Sequence, residues 1–312
     1  MYKACAEGKD PFQDGVLPGP TKAKIAEVTT STVATLSRTQ KASDGATKMV
    51  IRLHDDRFVE TVLIPTEDRT TVCVSSQVGC GRGCMFCRTA TMGMVRNLGA
   101  DEIVSQVVVG IRLAGERKMP PVRNVVFMGM GEPLDNLKAV QRSLEIMTDN
   151  AALGIAPKHV TVSTVGTTKR AIQNAAALPG HLAWSLQSAV DEDRNGLIPT
   201  NKMTVEAMAK VFVSALKDKN EPLFVEVVLI HRLNDDLDSA DAIAKLFEDC
   251  GVEIRVNLIG MNPVGEDGFL PSPPEQIEAF QARIRERGLF CSVRKPRGQD
   301  KFAACGQLAV VD

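Results

Sequence analysis

From residue 71 onward, short apolar runs rich in β-branched residues alternate with amphipathic stretches of helical length. That alternation leaves the chain very few architectures. Val122–Met128 (VRNVVFM), His159–Ser163, Leu182–Leu186, Phe224–Ile230, Glu253–Leu258 and Phe290–Arg294 read as strands. Ala100–Ala114, Leu137–Met147, Lys169–Ala177, Val205–Leu216, Ser239–Phe247 and Pro274–Arg287 read as the helices between them. Strands separated by a helix pair in parallel, since the crossover returns the chain to the end where it began. Six such units, counted from Cys73, predict an α/β fold, a partial (β/α)6 barrel. Its ligands are expected at the carboxyl ends of the strands. Ahead of the barrel, KMVIRLHDDRFVETVLIP predicts a β-hairpin turning at His54-Asp55-Asp56, TTVCVSS a further strand, and Thr21–Leu36 a short helix. The expected division is a leading region at 1–45, a hairpin extension packed on the core at 46–72, and the core at 73–312.

Cys80, Cys84 and Cys87 fall in one run, GCGRGCMFCRTATMG, with the spacing C-x3-C-x2-C and Phe86 before the last cysteine. A structural zinc site closes its sphere with four protein ligands, and no histidine or fourth cysteine lies at finger spacing. A ferredoxin-type cubane also takes four thiolates. Three thiolates on a four-iron cluster leave one iron open to a small chelating ligand. The bland alternative is three buried thiols with no common role.

The expected strand ends carry polar groups in succession. They are Gly129-Met130-Gly131-Glu132-Pro133, then Ser163-Thr164-Val165-Gly166, then Ser185-Leu186-Gln187-Ser188, then Asn262-Pro263. Two glycines allow a ligand to approach the backbone, and Glu132 is suited to an ammonium; the same residues also make an ordinary strand-to-helix turn. Cys73 stands just before the cysteine loop and Cys305 near the C-terminus, each equally readable as an inert buried thiol. Arg88 and Arg96 flank the cysteine loop, and Arg294, Lys295, Arg297 and Lys301 flank Cys305, as a phosphate-holding group or as solvated surface. Cys5, Cys250, Cys291 and the four histidines have no supporting context.

A formal net charge of −1 excludes a generally basic nucleic-acid binder, so any RNA would meet a local basic patch. No apolar run approaches membrane-spanning length, and MYKACAEGKDPFQDG lacks the apolar core of a signal peptide. Eight cysteines with a clustered, metal-like subset fit a reducing compartment. The expectation is a cytoplasmic monomer, or an organellar one if a targeting segment precedes this start.

Taken together, these stretches resemble the RlmN/Cfr family of radical SAM RNA methyltransferases. The resemblance rests on VETVLIP (Val59–Pro65), TVCVSSQVGCGRGCMFCRTATMG (Thr71–Gly93), RNL (Arg96–Leu98), VVFMGMGEPLDN (Val125–Asn136), VTVSTVG (Val160–Gly166), NLIGMNP (Asn257–Pro263) and VRKPRG…AACGQLA (Val293–Ala309). It implies a radical SAM barrel in which Cys80, Cys84 and Cys87 bind one [4Fe-4S] cluster. S-adenosylmethionine (SAM), two molecules per turnover, is implied at Gly131, Glu132, Ser163, Ser185, Leu186, Gln187 and Asn262. The implied chemistry methylates Cys305 with one SAM and cleaves a second to a 5′-deoxyadenosyl radical. A carbon radical on Cys305 then adds to an adenine of ribosomal or transfer RNA, Glu60 removes the ring proton, and Cys73 attacks Cys305 to release the product. The resulting disulfide needs an electron donor. Gly131-Glu132-Pro133 and VRKPRG resemble the C2-methylating branch more than the C8 branch. Members read SLHA where this chain has Ser185-Leu186-Gln187-Ser188, and residues 1–45 resemble the tail of a helical accessory domain. The alternatives are C8 methylation, another radical SAM substrate, or a non-catalytic Fe–S protein that binds RNA.

Overall fold

A computed structural model describes residues 33–219, 221–262 and 269–310, with a few isolated positions before them. Ten strands make one sheet in the order β1-β2-β3-β4-β7-β8-β9-β10-β11-β12. β1 (Thr35–Lys41), β2 (Thr47–Arg52), β3 (Phe58–Pro65) and β4 (Thr70–Cys73) pair antiparallel. From β4 the sheet runs parallel through β7 (Val122–Phe127), β8 (Val160–Thr164), β9 (His181–Ser185), β10 (Leu223–Leu229), β11 (Ile254–Gly260) and β12 (Phe290–Arg294). The hairpin therefore extends the barrel sheet by backbone pairing rather than lying against it. A second sheet of two strands, β5 (Gln77–Gly79) and β6 (Met94–Asn97), brackets the cysteine loop.

Helices α1 (Ala100–Glu116), α2 (Leu137–Thr148), α3 (Lys169–Ala176), α5 (Val205–Leu216), α6 (Leu237–Leu246) and α7 (Pro274–Glu286) supply the six crossovers. The short α4 (Asp191–Leu197) sits between β9 and α5. β10 is buried along nearly its whole length, as a strand covered on both faces must be. Its helical cover is sealed by Trp184, which stacks on Phe212 at 4.9 Å and meets Phe247 edge-on at 6.2 Å. The far edge of the barrel is joined to the hairpin by side chains: Arg297 Nη2 donates to the carbonyls of Asp44 (2.8 Å) and Pro65 (2.9 Å).

The C-terminal end of one expected element is corrected. Thr35 and Leu36 open strand β1 instead of ending a helix; the remainder of Thr21–Leu36 falls almost wholly outside the described residues. TLSRTQK pairs with β2, and Arg38 and Lys41 are exposed on its two faces, charges of the kind that guard an edge strand.

Candidate active site

The cysteine loop leaves β5 at Gly79 and returns at Met94. Its turns are tied at both ends: Cys80 N–H donates to the carbonyl of Gly93 (2.9 Å), and Cys87 N–H to that of Cys84 (3.0 Å). All three thiols line one cavity of about 120 Å³ at the carboxyl ends of the strands. Burial is the main reason their thiols are raised, Cys80 to about 11, and Cys80 and Cys84 also feel neighbouring cysteines. Metal ligation would remove those protons.

Among the described residues no three Cys, His, Asp or Glu side chains converge as the ligands of a single ion. A cubane makes a different demand, since it takes one thiolate per iron at separated corners, and three thiols around a cavity meet it. Arg194 gives a second sign of fit. Its side chain is buried against the Trp184 ring (5.8 Å), Nη2 donates to the carbonyl of Val165 (2.6 Å), and Nε and Nη1 have no partner among the described residues. Burial lowers its pKa to about 10, while Cys84 opposes that shift. A buried cation left two donors short matches a cluster that carries negative charge once three thiolates bind.

The opposite wall holds Gly131, Glu132, Ser163, Ser185 and Gln187. At Gly131 φ is +99°, and a Cβ would stand 2.6 Å from the Gln77 side chain. Glu132 is buried with no ion-pair partner among the described residues. Its Oε1 accepts from Leu134 N–H (2.9 Å) and its Oε2 from Val165 N–H (3.0 Å). Burial holds this carboxyl above the usual range, against the pull of those hydrogen bonds. Ser163 and Ser185 touch through their hydroxyls at 3.1 Å. Such a wall offers an anion, hydroxyls and close backbone to an amino-acid or ribose group.

Two expected members of that pocket stand elsewhere. Leu186 is wholly buried in the core and lines neither cavity; its N–H is spent on the carbonyl of Glu226 (3.0 Å). Asn262 lines a second cavity and donates through Nδ2 to the carbonyl of Cys305 (3.0 Å). Gln187 keeps its place, with Oε1 accepting from Val228 N–H at 2.7 Å.

The second cavity, about 510 Å³, runs down the inside of the sheet from Cys305 and Cys73 to Thr71 and Asn124. Its rim carries Arg69, Arg294, Lys295 and Arg297. Lys301 is not in it, and Arg96 is held away by Asp55 and Glu102. Cys305, Met128, Ile259 and Leu308 line both cavities, so Cys305 stands in the shared wall. Its side chain reaches the cavity space while protein atoms crowd it, and that desolvation pushes its thiol up to about 11; Arg294 acts the other way. Cys73 sits at the end of β4, buried, with its thiol pushed up to about 12, first by desolvation and then by neighbouring Cys305.

Glu60 lines neither cavity. It is buried in β3, with Oε1 3.0 Å from Lys48 Nζ and Oε2 accepting from Ala309 N–H at 3.0 Å. Sequence reasoning missed Lys48, Arg194 and Glu226. Glu226 Oε1 takes Arg294 Nη2 and Asn257 Nδ2, both at 3.0 Å, while Oε2, beside the first cavity, has no partner among the described residues. The available signal was a charged residue inside an apolar strand, as in LFVEVVL.

Comparison with known proteins bears on this arrangement. The sequence model of the radical SAM superfamily matches residues 74–257. The chain is 42% identical over 269 residues to a probable RNA methyltransferase of Sorangium cellulosum, covering 86% of this chain and 67% of that one. It is 37% identical over 312 residues to the dual-specificity RNA methyltransferase RlmN of a Nitratiruptor species, covering 94% and 86%. The crystal structure of a radical SAM methyltransferase from Sphaerobacter thermophilus superposes with a TM-score of 0.88 at 37% identity, covering 94% of this chain and 86% of that one. The chain belongs to the RlmN family of radical SAM RNA methyltransferases.

Proposed function

Proceeding from that membership, we propose that this chain methylates C2 of an adenine in ribosomal RNA, transfer RNA or both, through a methyl group first carried on Cys305. The observation that carries the reading is the position of Cys305 in the wall between a thiol-lined cavity and a basic one, with Cys73 beside it. A [4Fe-4S] cluster held by Cys80, Cys84 and Cys87, and SAM against Gly131, Glu132, Ser163, Ser185 and Gln187, would supply the methyl group and the one-electron chemistry that an electron-poor ring carbon requires, at two SAM per turnover.

The chain's own residues divide the rest. Glu132 is an anion for an ammonium, and the paired hydroxyls of Ser163 and Ser185 suit a ribose. Asn262 fixes the carbonyl of Cys305 and so the direction of its side chain. Arg294, beside Cys305, favours loss of the thiol proton before methyl transfer. The covalent bond from Cys305 then holds the base in place. Glu60 receives the ring proton, with Lys48 at Oε1 and the Ala309 N–H at Oε2 favouring the ionised carboxylate that accepts it. Cys73 attacks the sulfur of Cys305, freeing the methylated base and leaving a disulfide. A cytoplasmic electron donor restores both thiols, and the protein acts as a monomer.

The test is anaerobic reconstitution with iron and sulfide, incubation with methyl-labelled SAM, reductant and total RNA, and nucleoside mass spectrometry. Label in 2-methyladenosine is expected. Label in 8-methyladenosine would overturn the C2 assignment, and unmethylated Cys305 with labelled RNA would overturn the route through it.

A further inference from the structure

Lys48 and Glu60 form an ion pair in the hairpin, on β2 and β3, with side chains only 8% and 2% exposed. Lys48 stands opposite Val62, two residues from Glu60, so the two lie diagonally on one face. Burying both charges is costly unless further hydrogen bonds complete them. Here both partners reach the same segment of the C-terminal loop. Lys48 Nζ donates to the carbonyl of Phe302 (3.4 Å), and Glu60 Oε2 accepts from Ala309 N–H (3.0 Å). Cys305 lies between those two grips. The segment bends through left-handed backbone at Phe302 (φ 49°) and Gly306 (φ 81°), and between the two grips it is also held at Cys305 by Asn262 Nδ2 (3.0 Å), at Gly306 by Arg88 N–H (2.7 Å) and at Leu308 by Thr89 Oγ1 (2.5 Å).

The geometry points to Lys48 as a positioning residue: with Glu60 it clamps both ends of the segment 302–309 and sets where Cys305 stands between the two cavities. The proposal rests on the reading that Cys305 carries the methyl group, but the clamp itself is a claim about the loop. Lys48 from β2, the more distant Arg38 from β1 and the Ala309 N–H are what favour the ionised form of Glu60; burial opposes them.

The test compares Lys48→Met, Lys48→Arg and Glu60→Gln by hydrogen exchange of the 302–309 amides in the purified chain. Losing a charge-assisted hydrogen bond from a loop should speed exchange at Ala309 by about tenfold or more, with β10 amides unchanged. Lys48→Arg should restore protection, and Glu60→Gln, which keeps an acceptor for Ala309, should give the milder loss. In the reconstituted enzyme, Lys48→Met should also move the acid limb of RNA methylation to higher pH, because Glu60 loses its nearest cation. Native protection of Ala309 in Lys48→Met overturns the proposal. So does equal loss of protection through β10, or failure of arginine to rescue. If wild-type Cys305 is never methylated, the functional reading falls while the exchange result still decides the clamp.

Discussion

At the scale of single residues, the site depends on thiols that the fold keeps protonated. Cys73, raised to about 12, binds its proton more tightly folded than unfolded. The stability it contributes is complete below about pH 9 and is lost as pH rises toward 12, by about 1.4 kcal/mol per pH unit. Urea midpoints of the reduced chain between pH 8 and 10.5 should therefore fall less steeply in Cys73→Ser than in wild type; equal slopes would show that Cys73 titrates normally when folded. The same residue carries a chemical prediction. If Cys73 frees the base as proposed, Cys73→Ala should trap the chain on RNA through Cys305, a covalent complex visible on a denaturing gel; absence of that complex would overturn the role. The cysteine triplet stood out because its spacing is one-dimensional, whereas Cys73 and Cys305 were assigned a role only through the family resemblance. Lys48 and Arg194 were not legible, because a lysine in TKMVIR or an arginine in DEDRNGL reads as surface until the fold buries it.

Strand and helix limits lie close to those expected, since apolar runs and helical periods are local signals. Val205–Leu216 and Phe290–Arg294 coincide residue for residue with α5 and β12. The two-stranded sheet around the cysteine loop escaped notice, because QVG and MVRN are too short to show a period and pair only through the loop between them. Turns can be tested one at a time. After β7, Gly131 combines φ +99° with a gap that the Gln77 side chain and backbone already fill. Gly131→Ala should cost about 1–3 kcal/mol in backbone strain and displace Glu132 from the cavity. Calorimetric titration with SAM should show binding lost while circular dichroism reports a folded barrel. Undiminished binding would place SAM elsewhere.

For the whole molecule, a net charge of −1 makes RNA affinity a matter of which cations are free to meet phosphate. Of the four basic groups on the second cavity's rim, three are already engaged. Arg294 pairs with Glu226 at 3.0 Å, Arg297 with Asp44 at 3.3 Å, and Arg69 with Asp68 at 3.0 Å. Lys295 is exposed and has no anion partner among the described residues. A cation already neutralised by a carboxylate releases few counterions when RNA binds, whereas a free one releases its full share. Lys295→Ala should thus reduce the slope of log affinity against log salt by about 0.7 for a single-stranded target, weakening binding similarly across sequences. Arg69→Ala, by the same reasoning, should move that slope much less. The pair of slopes, read by fluorescence anisotropy over a salt series, decides the matter: equal changes would mean that the Asp68 pair opens on binding, and no change in either would move the RNA path off this rim.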